Sequence, residues 1–404
     1  MKRFVLGAAL ALLSLGVTPA TERFDPERAV TCPSKRWALT ERLSDPHPSM
    51  VQETFIPLVE QREPETVEAF GSATPRSSEF LLHYAHGWAE APNPVPVLLI
   101  HGAALTSTDC YADEPVEQPY EGLAARLVRS GRKAFALTFA HFHGDNVLQA
   151  EAVADAIARI RHVTGAKQVD LIAHSKGGMS ARIYLSSAGP KWTTRYRGDV
   201  RRYVMLGTPN GGIDVSFAYP NLNYWVLEHK SAAPLSWTEG YYYGKWVSWK
   251  DRTIYGKNGP FPGQAQMLAR WDARYGRTTQ KGQFDVDSTY EGGRGQVSQS
   301  LGIDRAIADG GNFMAELAKK AIDPKVELAV LAGTSPYVMN LVGERRAPSD
   351  GLLLVASAFD TDPLTRRGAK LIRKETLYLN HLQLVYHPRA NDWVVDVLDQ
   401  DAAE

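Results

Sequence analysis

Val169-Asp170-Leu171-Ile172-Ala173-His174-Ser175-Lys176-Gly177-Gly178 decides the fold of this 404-residue chain. It reads as a short buried strand that runs straight into a serine, then two glycines, then a helix from Met179 to about Ser187. A serine at so sharp a strand-to-helix turn is held in a strained backbone conformation, which lifts its hydroxyl clear of the sheet edge. The residues two before and two after it nearly touch, so both must be small, and Ala173 and Gly177 are. The pattern is that of a nucleophile elbow with Ala in place of the first Gly. The alternative is a plain strand-loop-helix turn, against which the apolar run before the serine weighs most.

Upstream, Val51–Val59 and Ser78–Tyr84 suit antiparallel strands, after an N-terminal extension over 21–50 that is rich in Pro, Arg and Ser and reads as irregular. Pro94–Ile100 is an apolar strand that stops at His101-Gly102-Ala103-Ala104. Glu121–Ser130 suits a helix and Lys133–Phe139 another buried strand. Leu148–Val163 is patterned as an amphipathic helix, with Val153, Ile157 and Ile160 on one side and Glu151, Asp155 and Arg159 on the other. After the elbow, Arg201–Leu206 ends in Gly207-Thr208-Pro209-Asn210-Gly211-Gly212. This alternation predicts an α/β fold with a mostly parallel central sheet and helices on both faces. Sites in such sheets gather at the carboxyl ends of the strands, where all these motifs lie.

The rhythm breaks over about 213–325, a stretch that includes Tyr219, Tyr224, Trp225, Trp237, Tyr241, Tyr242, Tyr243, Trp246, Trp249 and Tyr255. It resumes at the apolar Val326–Ala332. An aromatic-rich insertion between strands is expected to form a cap over the site, either roofing an acyl pocket and moving when lipid binds or standing as a rigid wall around its own core. The domain plan is therefore a leader over 1–20 and one domain over 21–404 that carries the extension and the cap.

The leader is read from Met1-Lys2-Arg3, the apolar run Phe4–Val17 and Thr18-Pro19-Ala20, which together make a secretory signal and predict a secreted or periplasmic protein, with a retained N-terminal anchor as the alternative. Lys+Arg and Asp+Glu both number 45, so composition offers nothing for a polyanion, and no nucleic-acid partner is expected. The two cysteines, Cys32 and Cys110, would meet an oxidising compartment. A Cys32–Cys110 disulfide is the expectation, with two free thiols as the alternative. Neither has a metal-ligand neighbour at useful spacing, and no metal site is expected. His141 and His143 form a pair without a third ligand.

A nucleophilic serine needs a base, a group to orient the base, and donors for the oxyanion. On this kind of sheet the chain order is Ser, acid, His. Ser349-Asp350-Gly351-Leu352 is a turn-like site for a carboxylate, and Asn380-His381-Leu382 follows the strand Thr376–Leu379. The expected catalytic set is Ser175, Asp350 and His381, with Asp360 and Asp362 competing for the acid role. The expected oxyanion donors are the backbone N–H groups of Lys176 and Ala103. His174 is expected to pack under the elbow.

These segments, with Thr164–Val169 and Leu206-Gly207-Thr208-Pro209, resemble the α/β-hydrolase superfamily and within it the secreted bacterial lipases and esterases. The resemblance runs from about Val95 to the end, except for the cap. It implies Ser175, Asp350 and His381 as nucleophile, acid and base, and Ala103 as an oxyanion donor. Two departures stand out. Lys176 occupies a position where these lipases often carry an apolar residue or Gln, and Gln383 falls where calcium-dependent members place an aspartate. The implied activity is hydrolysis of acyl esters through an acyl-enzyme, with an ester or lipid as substrate, transient contact with a lipid interface, and no cofactor. An acyltransferase or a polyester depolymerase would use the same residues, and a non-catalytic binding protein on this scaffold is the rival from another class.

Overall fold

The computed structural model describes residues 24–113, 121–219, 235–253, 259–277, 284–338 and 341–400. The leader over 1–20, and with it Tyr224, Trp225 and Tyr255, lies outside the described residues.

Nine strands form the central sheet. They are β1 (Val30–Cys32), β2 (Leu39–Ser44), β3 (Glu79–Tyr84), β4 (Val97–Ile100), β5 (Ala134–Phe139), β6 (Val169–His174), β7 (Val200–Leu206), β8 (Glu327–Gly333) and β9 (Lys370–Leu377). Their spatial order is β1-β2-β3-β5-β4-β6-β7-β8-β9. From β5 to β9 every pairing is parallel, and β1 to β3 add an antiparallel edge. Parallel strands covered on both faces read as continuous apolar runs, and β4, β5 and β6 are buried at every position. One core cluster runs through Leu98, Leu137, Leu171, Met205 and Leu328, and another through Leu99, Ala136, Ile172, Val204 and Leu331. Neighbours in sequence fall into opposite clusters, so the alternation of side chains across each strand builds two layers at once.

Helices α1 (Leu123–Arg129), α2 (Asn146–Thr164), α3 (Lys176–Leu185) and α4 (Pro388–Asp399) supply much of that cover. Asp145 caps α2 by accepting from the N–H groups of Val147 and Leu148, and Gly165 ends it in the left-handed conformation at φ 71°. The polar side of α2 is not a solvent face, contrary to its sequence pattern. Glu151 and Asp155 are buried, Glu151 accepts from Thr194, and Arg159 pairs with Glu41. Glu151 and Arg159 are thus partnered inside the fold, whereas Asp155 Oδ2 is buried without a hydrogen-bond partner.

Three further expectations are corrected. Residues 51–59 form no strand, and the antiparallel edge comes instead from the extension, whose β1 pairs with β2 and whose β2 pairs in turn with β3. The extension is thus part of the sheet. The cysteines are not bonded: Cys32 packs with Ala69, Phe70 and Leu81, whereas Cys110 lies in the other main core layer beside Tyr111 and Leu123. Cys32 Sγ instead donates to the Ala69 carbonyl at 3.4 Å.

Between β7 and β8 lie short helices and a second, antiparallel sheet built from Glu239–Tyr242, Lys245–Ser248, Gly293–Arg294 and Ser298–Ser300. The aromatic residues here divide in two. Trp237 and Trp249 are buried with Leu235, while Tyr241, Tyr243 and Trp246 are exposed on the hairpin.

Candidate active site

Ser175 stands between β6 and α3 with φ 52° and ψ −128°, a conformation L-residues rarely adopt. The surroundings enforce it. The Ser175 N–H donates to the Leu206 carbonyl at 2.9 Å, and the Gly178 N–H closes the turn onto the Ser175 carbonyl at 3.0 Å. The demand for small residues is steric. A Cβ on Gly177 would lie 2.3 Å from the His101 carbonyl oxygen, and one on Gly178 would lie 2.2 Å from Thr208 Oγ1. The helix therefore starts hard against the ends of β4 and β7.

His381 is brought to the serine from the far end of the chain. Its Nε2 lies 2.8 Å from Ser175 Oγ and its Nδ1 2.7 Å from Asp350 Oδ2. Asp350 is held from its other side, where Oδ1 accepts from the N–H groups of Leu352 at 3.1 Å and Leu353 at 2.7 Å. The His381 N–H donates to the Asp350 carbonyl at 2.9 Å, which ties the two turns together. The turn after β9 is closed reciprocally: the Asn380 N–H donates to Gln383 Oε1, and the Gln383 N–H donates to Asn380 Oδ1, both at 2.9 Å. Gln383 is thus occupied in shaping the histidine turn. Gly207, at φ 57°, passes beside the pair, and a Cβ there would lie 3.2 Å from Asp350 Oδ2 and 3.3 Å from His381 Cε1. Asp360 and Asp362 are not at the histidine. Asp360 lies beside Gly211, and Asp362 opens a short helix.

Four buried histidines, His101, His141, His143 and His174, lie at or just beyond the ends of β4, β5 and β6. His174 Nε2 donates to the His381 carbonyl at 3.0 Å and its ring lies 4.8 Å from the His381 ring, so it braces the base from behind as well as packing under the elbow. Burial, and then the nearby His381, hold its pKa well below the ordinary value. Burial lowers His101 to about 4. Its Nε2 accepts from the Phe139 N–H at 3.1 Å, so the proton sits on Nδ1, which donates to the Gly102 carbonyl at 2.7 Å. His101 thereby fixes the loop after β4. His141 is likewise lowered to about 4 by burial, and Gln264 Nε2 meets His143 Nδ1 at 2.9 Å. Among the described residues no group of three His, Cys, Asp or Glu could hold a metal ion.

The loop after β4 passes directly against the serine, since a Cβ on Gly102 would lie 2.9 Å from Ser175 Cβ. Ala103 and Ala104 follow, and Ala104 takes φ 61°. Lys176 opens α3 with its side chain fully buried, where Nζ donates to Gln149 Oε1. Sequence patterning did not reveal that burial, nor the part played by His174 and Asn380, because the partners are remote in the chain.

A family model described as a PGAP1-like alpha/beta domain matches residues 91–224, the segment from β4 through β7. The triacylglycerol lipase of Pseudarthrobacter phenanthrenivorans is 29% identical over 119 residues, which are 29% of this chain and 34% of that protein. The triacylglycerol lipase of Burkholderia plantarii is 29% identical over 119 residues, 29% of this chain and 30% of that one. The match therefore spans about a third of the length of these curated relatives. Among solved structures, a mature lipase of Bacillus licheniformis has a TM-score of 0.42 and 16% identity, over 76% of this chain and 94% of that one.

Proposed function

We propose that this chain, whose residues 91–224 match a PGAP1-like alpha/beta domain and whose central sheet is mostly parallel, is a serine carboxylester hydrolase of the lipase and esterase kind. The observation that carries this reading is the unbroken relay Ser175 Oγ to His381 Nε2 at 2.8 Å and His381 Nδ1 to Asp350 Oδ2 at 2.7 Å, anchored on a strained turn. His381 Nε2 takes the hydroxyl proton as Ser175 Oγ bonds to the ester carbonyl carbon. The Asp350 carboxylate keeps the other proton on Nδ1 and stabilises the imidazolium. The tetrahedral oxyanion is received by the backbone N–H groups of Lys176 and Ala103. Collapse breaks the carbon–oxygen bond of the ester, and the imidazolium returns its proton to the departing alcohol. Water then attacks the acyl-enzyme by the same route and releases the acid. These steps draw on side chains, backbone N–H groups and water.

The substrate class we propose is an acyl ester with a substantial apolar part, met at a lipid interface. Tyr241, Tyr243 and Trp246 are 53%, 80% and 38% exposed on one hairpin, and the Arg294 guanidinium lies 4.6 Å above the Trp246 ring. Aromatic rings flanked by cations suit the boundary between acyl chains and headgroups. The basic, then apolar, then small-residue N-terminus supports export through a cleaved leader, which N-terminal sequencing of the product of the native host would test by its start after Ala20. The function itself is tested with p-nitrophenyl esters of short to long acyl chains and an emulsified triglyceride. Turnover is expected to rise as long-chain ester exceeds its solubility limit, and less so in Trp246→Ala. A protein that hydrolyses no member of that series refutes the proposal.

A further inference from the structure

The residue after the nucleophile is a lysine whose ammonium is shut inside the protein. Lys176 is 1% exposed and its Nζ donates to Gln149 Oε1 on the first turn of α2. Burying a cation this deeply is costly unless acceptors and counter-charges surround it. The counter-charges come from Glu53, in the segment before β3, and Asp145, the cap of α2, whose fields both favour the ammonium. Burial pulls Lys176 down to about 7 and pushes Glu53 up to about 7, as expected for a lysine and a carboxylate sharing a desolvated site.

What matters is which segments meet there. Glu53 Oε1 accepts from the Asp145 N–H at 2.6 Å. Gln149 Nε2 donates to the His141 carbonyl at 2.8 Å, which links the lysine's acceptor to the loop after β5. That loop is stitched to the base of the insertion by the Gly263 N–H to the His143 carbonyl at 3.1 Å, Asn146 Nδ2 to the Gly263 carbonyl at 3.0 Å, and Gln266 Nε2 to Asp145 Oδ2 at 2.8 Å. Gly263 also lies flush against the lysine, since a Cβ there would sit 2.3 Å from Lys176 Cε. The N-terminal segment, the loop after β5, the start of α2 and the base of the insertion therefore all converge on one side chain. The backbone of that side chain begins α3.

We propose that Lys176 is a positioning residue: its buried ammonium, held by Gln149 and facing Glu53 and Asp145, locks the start of α3 and so sets the aim of the Ser175 hydroxyl and of the backbone donor beside it. The inference deepens the esterase reading and rests on it for the role of that N–H. A group aimed through its own backbone acts mainly in the transition state, so disturbing it lowers kcat and leaves KM nearly unchanged. A lysine that only filled space would be replaced by methionine at a cost in Tm with no change in kcat.

The test measures the second-order rate at which a fluorophosphonate labels Ser175, alongside kcat and KM for p-nitrophenyl butyrate, in the full chain. Lys176→Met is expected to slow labelling and kcat by about tenfold to 100-fold with KM within about twofold, the scale of an ångström-level misplacement. Lys176→Met/Glu53→Gln is expected to recover part of that loss, because the orphaned carboxylate goes with the cation. Where Lys176→Met does not fold, Gln149→Met carries the test, removing the acceptor while leaving the ammonium. Labelling at the wild-type rate in the folded variant overturns the proposal, as does a double variant no better than the single. A wild-type chain that is labelled by fluorophosphonate but hydrolyses no ester defeats the esterase reading alone, since the labelling rates still report the aim of Ser175.

Discussion

Replacing Asp350 by asparagine changes one atom and should nearly abolish turnover. The reason is fixed by the two sides of the carboxylate. Oδ1 is committed as an acceptor to the Leu352 and Leu353 N–H groups at 3.1 and 2.7 Å. An asparagine at 350 must therefore keep its carbonyl oxygen on that side and turn its NH2 toward His381. An NH2 can only donate, so His381 Nδ1 becomes an acceptor and its proton moves to Nε2, the atom 2.8 Å from Ser175 Oγ. A protonated Nε2 cannot take the serine proton. The fold should be retained, since shape and both backbone hydrogen bonds are kept. A loss of about 10⁴-fold in kcat is expected from the wrong tautomer alone. The assay is p-nitrophenyl butyrate hydrolysis at pH 7.5 with circular dichroism as the folding control. Asp360→Asn serves as the comparison, because Asp360 lies by Gly211 and away from His381. A loss of less than about tenfold for Asp350→Asn, or an equal loss for Asp360→Asn, would refute the reasoning.

Three further outcomes are expected. Thiol titration of the denatured, unreduced chain should find two reactive groups, since Cys32 and Cys110 occupy separate parts of the core; none would show that they are bonded. Arg346→Met should destabilise by about 3–5 kcal/mol in urea unfolding, because it strands the buried carboxylates of Asp214 and Glu344 beside the turn that carries Asp350; a change below about 1 kcal/mol would show that the site accepts them unpaired. Burial, then the nearby Asp45 and Glu151, raises Asp155 well above the ordinary carboxyl range, so its contribution is favourable below the pKa of the unfolded chain and is lost as pH rises through the folded value. Asp155→Asn should accordingly gain Tm relative to wild type as pH rises above the unfolded-chain carboxyl pKa of roughly 3.9, and a pH-independent difference would contradict the assignment.

The parts of the fold that were legible are those where burial is complete and local. The strands β4, β5 and β6 are largely apolar and wholly buried, and Gly177 marks the close approach of the helix start to the His101 carbonyl at the end of β4. The antiparallel edge was misread. Val30–Cys32 and Leu39–Ser44 are short and half-polar, and they hold as strands through pairing, the first with the second and the second with β3. The hydrophobic pattern of α2 also misled, because Glu151 and Asp155 look solvated until Thr194 and the loops around them fold over. Strand ends and chain order single out Ser175, Asp350 and His381, and the fold links these three side chains by hydrogen bonds. Of the three carboxylates that sequence order offers, Asp350 is the one that lies 2.7 Å from His381. Lys176 gave no sign of burial in sequence, since its neighbours Glu53 and Gln149 are distant in the chain and ordinary in their local context.

The central claim is that Ser175 is an activated nucleophile. Its most direct test is to treat the folded protein with a fluorophosphonate, map the adduct by peptide mass spectrometry, and repeat ester hydrolysis with Ser175→Ala. One adduct per chain is expected, on the peptide containing Ser175, together with a variant that folds but turns over ester roughly 10³-fold or more slowly. An adduct on another serine, or a folded Ser175→Ala protein that keeps its activity, would contradict it.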